Sequence, residues 1–141
     1  MEDEIRPILL VEDRIADLDL TKRALARRNL INPIQVARDG EEALDYVKRW
    51  EAGEQTPVFI LLGVRLPKVN GLTVLRELKS HPRFNAIPII MMAGHRNDIE
   101  MQEAHGLGCN SYIVKPIDFT NFCEVAPASG VYWRAVSAAQ S

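Results

Sequence analysis

The 141 residues are one ordinary domain by length, 47% apolar and 26% charged, with 17 basic residues against 19 acidic ones and a net charge of −2. Charges of both signs are interspersed, which gives no electrostatic footing for nucleic acid or an anionic membrane. No apolar run, Val58 to Leu62 included, approaches a bilayer span, and the acidic start MEDEIRP has no signal-peptide core. Cys109 and Cys123 are the only cysteines and read as reduced thiols of a cytoplasmic protein, and together with three histidines they show no metal-ligand spacing.

Two hydrophobic periods alternate along the chain. PILLV (Pro7 to Val11) is a short continuous apolar run and predicts a buried strand. Ile15, Leu18 and Leu25, with alanines between them, give a helical face ending near Arg28, where Asn32-Pro33 breaks the pattern. Ile34 to Ala37 alternates and predicts a shorter, more exposed strand. Asp39 followed by Glu42 has capping-box spacing, and Ala43, Leu44, Val47 and Trp50 then share one helical stripe. VFILL is the most apolar strand. The loop GVRLPKVNG follows it, with Asn70-Gly71 read as a turn signal, and leads to a helix with Leu72, Leu75 and Leu78 inward that Pro82 stops. IPIIMM is a fourth strand, and Asn97 can cap a helix of about two turns that closes at Gly106 and Gly108. SYIVK is a fifth strand, and Asp118 can cap a last helix carrying Phe119 and Phe122. The pattern is βα five times over, an α/β chain with a doubly wound parallel sheet covered on both faces. It forms a single domain over 1–141, with a core from about 7 to 126 and a tail from 127 to 141.

Open sheets of this kind place their sites beyond the carboxyl ends of the strands. The residues there are Glu12 and Asp13 after the first strand, Gly63 after the third, Ala93 and Gly94 after the fourth, and Lys115 and Pro116 after the fifth. Two adjacent acids can bind a hard divalent cation such as Mg²⁺. They can equally be a solvated strand-to-helix turn whose charge suits the helix start. Arg14 and Arg65 stand nearby; a guanidinium can replace a missing cation beside the acids, or both can point into solvent. Asp17 and Asp19 are expected on the first helix, a turn or more from the crevice. GLGCNS at Gly106 follows a helix and precedes a strand, the reverse of a dinucleotide-binding context, and reads as a C-cap and turn. His81, His95 and His105 suggest no triad.

ILLVED, LLGVRLPKVNG, IPIIMMAG and NSYIVKP match, in order and spacing, the segments of response-regulator receiver domains, and the chain resembles that family from about Ile8 to Phe122. LPKVNGL, NSYIVKPIDF and the terminal Tyr-Trp are most similar to small single-domain regulators that pair with bacterial phytochrome kinases. The resemblance implies a flavodoxin-like strand order 2-1-3-4-5. It also implies a Mg²⁺-binding acid pair at Glu12 and Asp13, a phosphorylated acid at the end of strand three, a Thr or Ser at the end of strand four, and a lysine that contacts the phosphoryl group. Tyr112 matches the aromatic switch position, Lys115 the lysine, and Pro116 is a cis-proline candidate. The chain departs from the pattern twice. Gly63 stands at the phosphoacceptor and Ala93 at the hydroxyl position. Glycine offers no nucleophile for phosphoryl transfer and takes one anionic arm from the metal site.

The expectation is therefore a non-enzymatic receiver in phosphorelay signalling that works by protein contacts without phosphorylation, with Mg²⁺ weak or absent and Lys115 turned to the acid pair, on Asp13. A histidine kinase, of phytochrome type, is the expected partner. With no output domain expected after the fifth helix, a homodimer through Phe119, Phe122, Tyr132 and Trp133 is expected too. Pro127 interrupts that last helix, and Tyr132 and Trp133 can be either a partner anchor or a flap on the core. Two competing functions stay open: a receiver phosphorylated on a substitute acid, and a flavodoxin-like small-molecule binder using a crevice left open at Gly63, Ala93 and Gly94.

Overall fold

A computed structural model describes residues 6–27 and 32–115. Nine elements alternate along it: β1 Ile8–Val11, α1 Ile15–Arg27, β2 Ile34–Ala37, α2 Gly40–Glu51, β3 Phe59–Gly63, α3 Gly71–Lys79, β4 Ile89–Ala93, α4 Asp98–Leu107 and β5 Ser111–Val114. The five strands form one parallel sheet in the order β2-β1-β3-β4-β5. The fifth helix, with Asp118, Phe119 and Phe122, lies outside the described residues, as do Pro116, Cys123, Pro127, Tyr132 and Trp133.

The continuous apolar runs follow from burial on both faces. Alternate residues of each central strand feed different cores. Leu9, Val11, Ile60, Leu62, Ile89 and Met91 pack on one face with Trp50, Val74, Leu75, Leu78 and Ala104 from α2, α3 and α4. Ile8, Leu10, Phe59, Leu61, Ile90 and Met92 pack on the other with Leu18, Ala24 and Leu25 of α1. A strand buried on both sides needs apolar residues at every position, which erases the two-residue alternation an exposed face would show. The edge strand β2 keeps partial exposure, as its alternation predicts.

Caps fix where helices begin. The Asp39 carboxylate accepts the Glu42 amide at 2.8 Å, opening α2. Glu42 does not complete the reciprocal half of a capping box; its carboxylate accepts from the amide of Arg38, one residue before the cap. The Asn97 side chain accepts the Glu100 amide at 3.0 Å, and α4 closes at Gly108 with φ 104. Asn70 is more than a turn residue, since its side chain accepts the Leu72 amide at 2.7 Å and caps α3. Ile15 begins α1 but is 71% exposed, so the inward face of that helix starts at Leu18.

Gly71 sets how closely α3 approaches the sheet. A Cβ there would lie 2.0 Å from the Gly63 carbonyl oxygen and 2.7 Å from that of Val64. Both atoms are backbone, so the clash has no side chain to relieve it. The Gly71 amide donates to the Val64 carbonyl at 2.9 Å, which ties the helix start to the strand tip. Gly71→Ala is expected to lower stability by about 3 kcal/mol, the upper part of the range for overpacking. Gly106, exposed within α4 with nothing within 4 Å of its would-be Cβ, is the counterpart: Gly106→Ala should raise stability by about 0.5–1 kcal/mol. Urea unfolding midpoints at unchanged slope check both.

Candidate functional site

Parallel register brings the strand tips together. Val11 stands beside Leu62, Gly63 beside Met92 and Ala93 beside Val114. Hydrogen bonds carry the ladder one residue further, from the Glu12 amide to Ala37 and from the Lys115 amide to Ala93. Glu12, Gly63, Ala93 and Lys115 thus line one edge, as the sequence predicts.

At the centre is a buried carboxylate. Glu12 is 1% exposed. Its Oε1 accepts from the Lys115 ammonium at 2.8 Å, and its Oε2 from the Arg14 amide at 3.3 Å. The same ammonium donates to Asp17 Oδ2 at 3.0 Å. Strand β5 lies three places from β1, roughly 14 Å at ordinary strand spacing. Lys115 has to cross the tips of β4 and β3 to reach Glu12, and those tips carry only Ala93 and Gly63.

Two expectations are corrected here. Lys115 turns to the acid pair, but to Glu12 rather than Asp13. Glu12 continues β1 into the cleft, whereas Asp13 sits on the half-exposed turn and contributes its carbonyl, which accepts from Arg38 at 2.8 Å. Asp17 is not remote from the crevice. With α1 starting at Ile15, the first turn carries Asp17 back over the sheet edge, and an acid in that turn was the available signal.

Burial pulls the Lys115 ammonium toward neutrality, but the hydrogen bonds and charges of Glu12 and Asp17 outweigh it and hold its pKa above the ordinary 10.5. Neither arginine takes the cation's role. Arg14 is 75% exposed and lies 3.8 Å from Asp17. Arg65 turns away to Glu100 at 3.2 Å.

Gly63 does not leave an open crevice. The Leu66 methyl lies 3.3 Å, and the Val11 carbonyl oxygen 3.2 Å, from where a Cβ would stand. Leu66, which the sequence did not single out, packs over the strand tip and against the larger core. Ala93 is buried, and Gly94 beyond it is exposed.

Tyr112 on β5 faces α4. Its hydroxyl donates to Glu100 Oε1 at 3.3 Å, while Glu100 Oε2 holds Arg65. Burial first, and then the Glu100 carboxylate, push the Tyr112 phenol above its usual value. Glu100 too was missed; three residues past the Asn97 cap, it sits where a helix's first turn aims a side chain back at the loops.

The donor set does not fit the Mg²⁺ that the resemblance implies. The third arm is Gly63, and Glu12 already holds an ammonium. Among the described residues no group of three or more His, Cys, Asp or Glu side chains is placed to hold a metal ion. Elsewhere Cys109 is a buried thiol, raised by burial to about 11, which argues for packing over reactivity. His81 pairs with Glu51 at 2.8 Å and stacks on Phe84, apart from the other histidines. Among the described residues no helix is long and apolar enough to cross a membrane.

Breaking a buried pair by removing one partner leaves an uncompensated charge. Lys115→Met should therefore lower stability by about 3 kcal/mol. The Glu12→Gln/Lys115→Met double variant should lose less than the sum of its single changes, as a double-mutant cycle reads. The Lys115 pairs contribute in full below pH 10.5, the ordinary lysine value, and are lost as pH rises through the raised folded-state value. Wild type should lose stability in that alkaline window, and the loss should be smaller in Lys115→Met. Urea midpoints measured across that range check this.

Similarity to known proteins runs the length of the described fold. The model for the response regulator receiver domain matches residues 8–126. The probable methanogenesis regulatory protein FilR2 of Methanothrix harundinacea is 37% identical over 127 residues, covering 89% of this chain and 82% of that protein. The bacteriophytochrome response regulator AtBRR superposes with a TM-score of 0.83 at 40% identity, over 93% of this chain and 96% of that one. The phosphorylated cyanobacterial phytochrome response regulator RcpA does so with a TM-score of 0.76 at 31% identity, over 96% of each chain.

Proposed function

The chain belongs to the receiver-domain family of response regulators, a family of two-component signalling proteins, and on that premise we propose that it signals without accepting a phosphoryl group, through the surface it presents to other proteins. The observation that carries this reading is the Lys115 ammonium 2.8 Å from Glu12, reaching past a strand tip where Gly63 supplies no carboxylate. A receiver takes a phosphoryl group by attack of a carboxylate oxygen in line with the donor. Here that oxygen is missing. The acid that would help hold a divalent cation is neutralised from within the chain, and a leucine covers the tip. Independence from Mg²⁺ is part of the same proposal.

In this reading the fold holds one signalling geometry that needs no chemical input. Glu100 and Arg65 support it by fixing Tyr112 from α4 and the β3–α3 loop. The fit to two phytochrome response regulators supports a histidine kinase of phytochrome type as the partner. A cytoplasmic, non-enzymatic role follows from the same reading. Self-association through Phe119, Phe122, Tyr132 and Trp133 belongs to it too, and those residues lie outside the described ones. Phosphorylation on a substitute acid is less well supported, because Asp17, the acid that α1 brings to the cleft, is bonded to Lys115.

Incubation with acetyl phosphate and Mg²⁺ should leave the intact mass unchanged. A stable gain of one phosphoryl group, mapped to any Asp or Glu, would overturn the proposal. Light scattering at high micromolar concentration should return the mass of a dimer, and Trp133→Ala should shift it toward the monomer.

A further inference from the structure

At the opposite edge of the sheet, the amino ends of β1, β3 and β4 surround a cavity of about 570 Å³, within the size range of small-molecule sites. Arg6 and Arg83 stand at it, and none of its described lining residues is acidic. The Arg6 guanidinium donates to the Thr56 carbonyl and hydroxyl and to the Pro57 carbonyl. Those acceptors are neutral, so they fix the fork without cancelling its charge. Arg83 makes one long bond, 3.5 Å, to the Glu51 carbonyl, and its guanidinium carbon lies 5.1 Å over the Phe84 ring. Elsewhere Arg23, Arg49, Arg65 and Arg96 each pair with a carboxylate. Arg6 and Arg83, like Arg27, Arg38 and Arg76, have no carboxylate partner among the described residues; what sets the two apart is that they share one cavity. The remaining wall is apolar, made by Pro57, Val58, Ile87 and Pro88.

We propose that this cavity binds a small organic anion, a phosphate or carboxylate borne on a compact apolar body. The Arg6 Nη1, which none of those bonds uses, and the exposed Arg83 guanidinium can both donate to an oxyanion, and the apolar wall adds the area that a bare ion lacks. The site is separate from the strand-tip cleft, so the inference does not depend on how that cleft behaves.

Amide NMR spectra of the full chain, titrated with phenyl phosphate, benzoate and inorganic phosphate, test it. Saturable shifts are expected at the Val58 and Ile87 amides, with at least one of the two aromatic anions binding more tightly than inorganic phosphate. The tighter of phenyl phosphate and benzoate then identifies the head group. Arg83→Gln should weaken that binding about tenfold, the loss of a charge-assisted contact. Arg96→Gln, at the other edge of the sheet, should leave it unchanged. Arg83 is exposed, so the variant is expected to keep its unfolding midpoint, and thermal unfolding verifies that it folds. The proposal is overturned if no titration saturates, if Arg83→Gln binds as wild type does, or if inorganic phosphate binds as tightly as both aromatic anions.

Discussion

A carboxylate that is 1% exposed at the tip of a central strand is the constraint around which the carboxyl edge is arranged. The sheet is covered on both faces, so its interior accepts no charge. Glu12 sits where the strand ends, too deep for water to carry its charge and too close to the surface to be absent from the cleft's chemistry. Such a group needs a cation and further donors. The chain supplies the first from a distant segment, the Lys115 ammonium beyond β5, and the second locally, the Arg14 amide in the turn before α1. Asp17 then gives the ammonium a second carboxylate.

A cation that binds from solution can leave, and a site built around it can have two states. A cation carried on a side chain cannot leave without breaking the fold's own contacts. Under the proposed function, the charge that balances Glu12 is of the second kind and stays with the fold. The Arg65–Glu100–Tyr112 contacts add a second tie, from the loop after β3 across α4 to β5. In the proposed reading, these two sets of contacts favour one arrangement of the loops through which a bistable fold would respond.

The strands were legible because continuous apolar runs between helical stripes admit few arrangements, and the edge position of β2 was legible in its alternation. Helix starts at Asp39 and Asn97 were legible because the cap chemistry is local. Asn70 shares that chemistry, but the Asn-Gly pair that follows a loop reads equally as a turn, and only the helix after it decides. The acid pair, the lysine and the two small residues at the strand tips could be placed because each sits one step past a strand. Asp17, Glu100 and Leu66 were not placed, since their roles depend on the rotation of a first helical turn or the path of a loop, and a shift of one residue in either sends the side chain elsewhere. The choice between Glu12 and Asp13 failed for a similar reason: adjacent residues leaving a strand point to different sides.

The bond between Lys115 and Glu12 joins residues 103 positions apart. Ordering a loop of that length before other contacts restrain it is entropically unfavourable, and the sheet offers shorter closures first, β1 with β2 and then with β3. The ammonium can reach its acid only when β4 and β5 have docked. The pair is therefore expected to form late on the folding route, with its free energy falling mainly on the barrier to unfolding. On that expectation the interaction acts chiefly on the lifetime of the native state. A chevron for the Lys115 variant would show that as a raised unfolding arm beside an unmoved refolding arm.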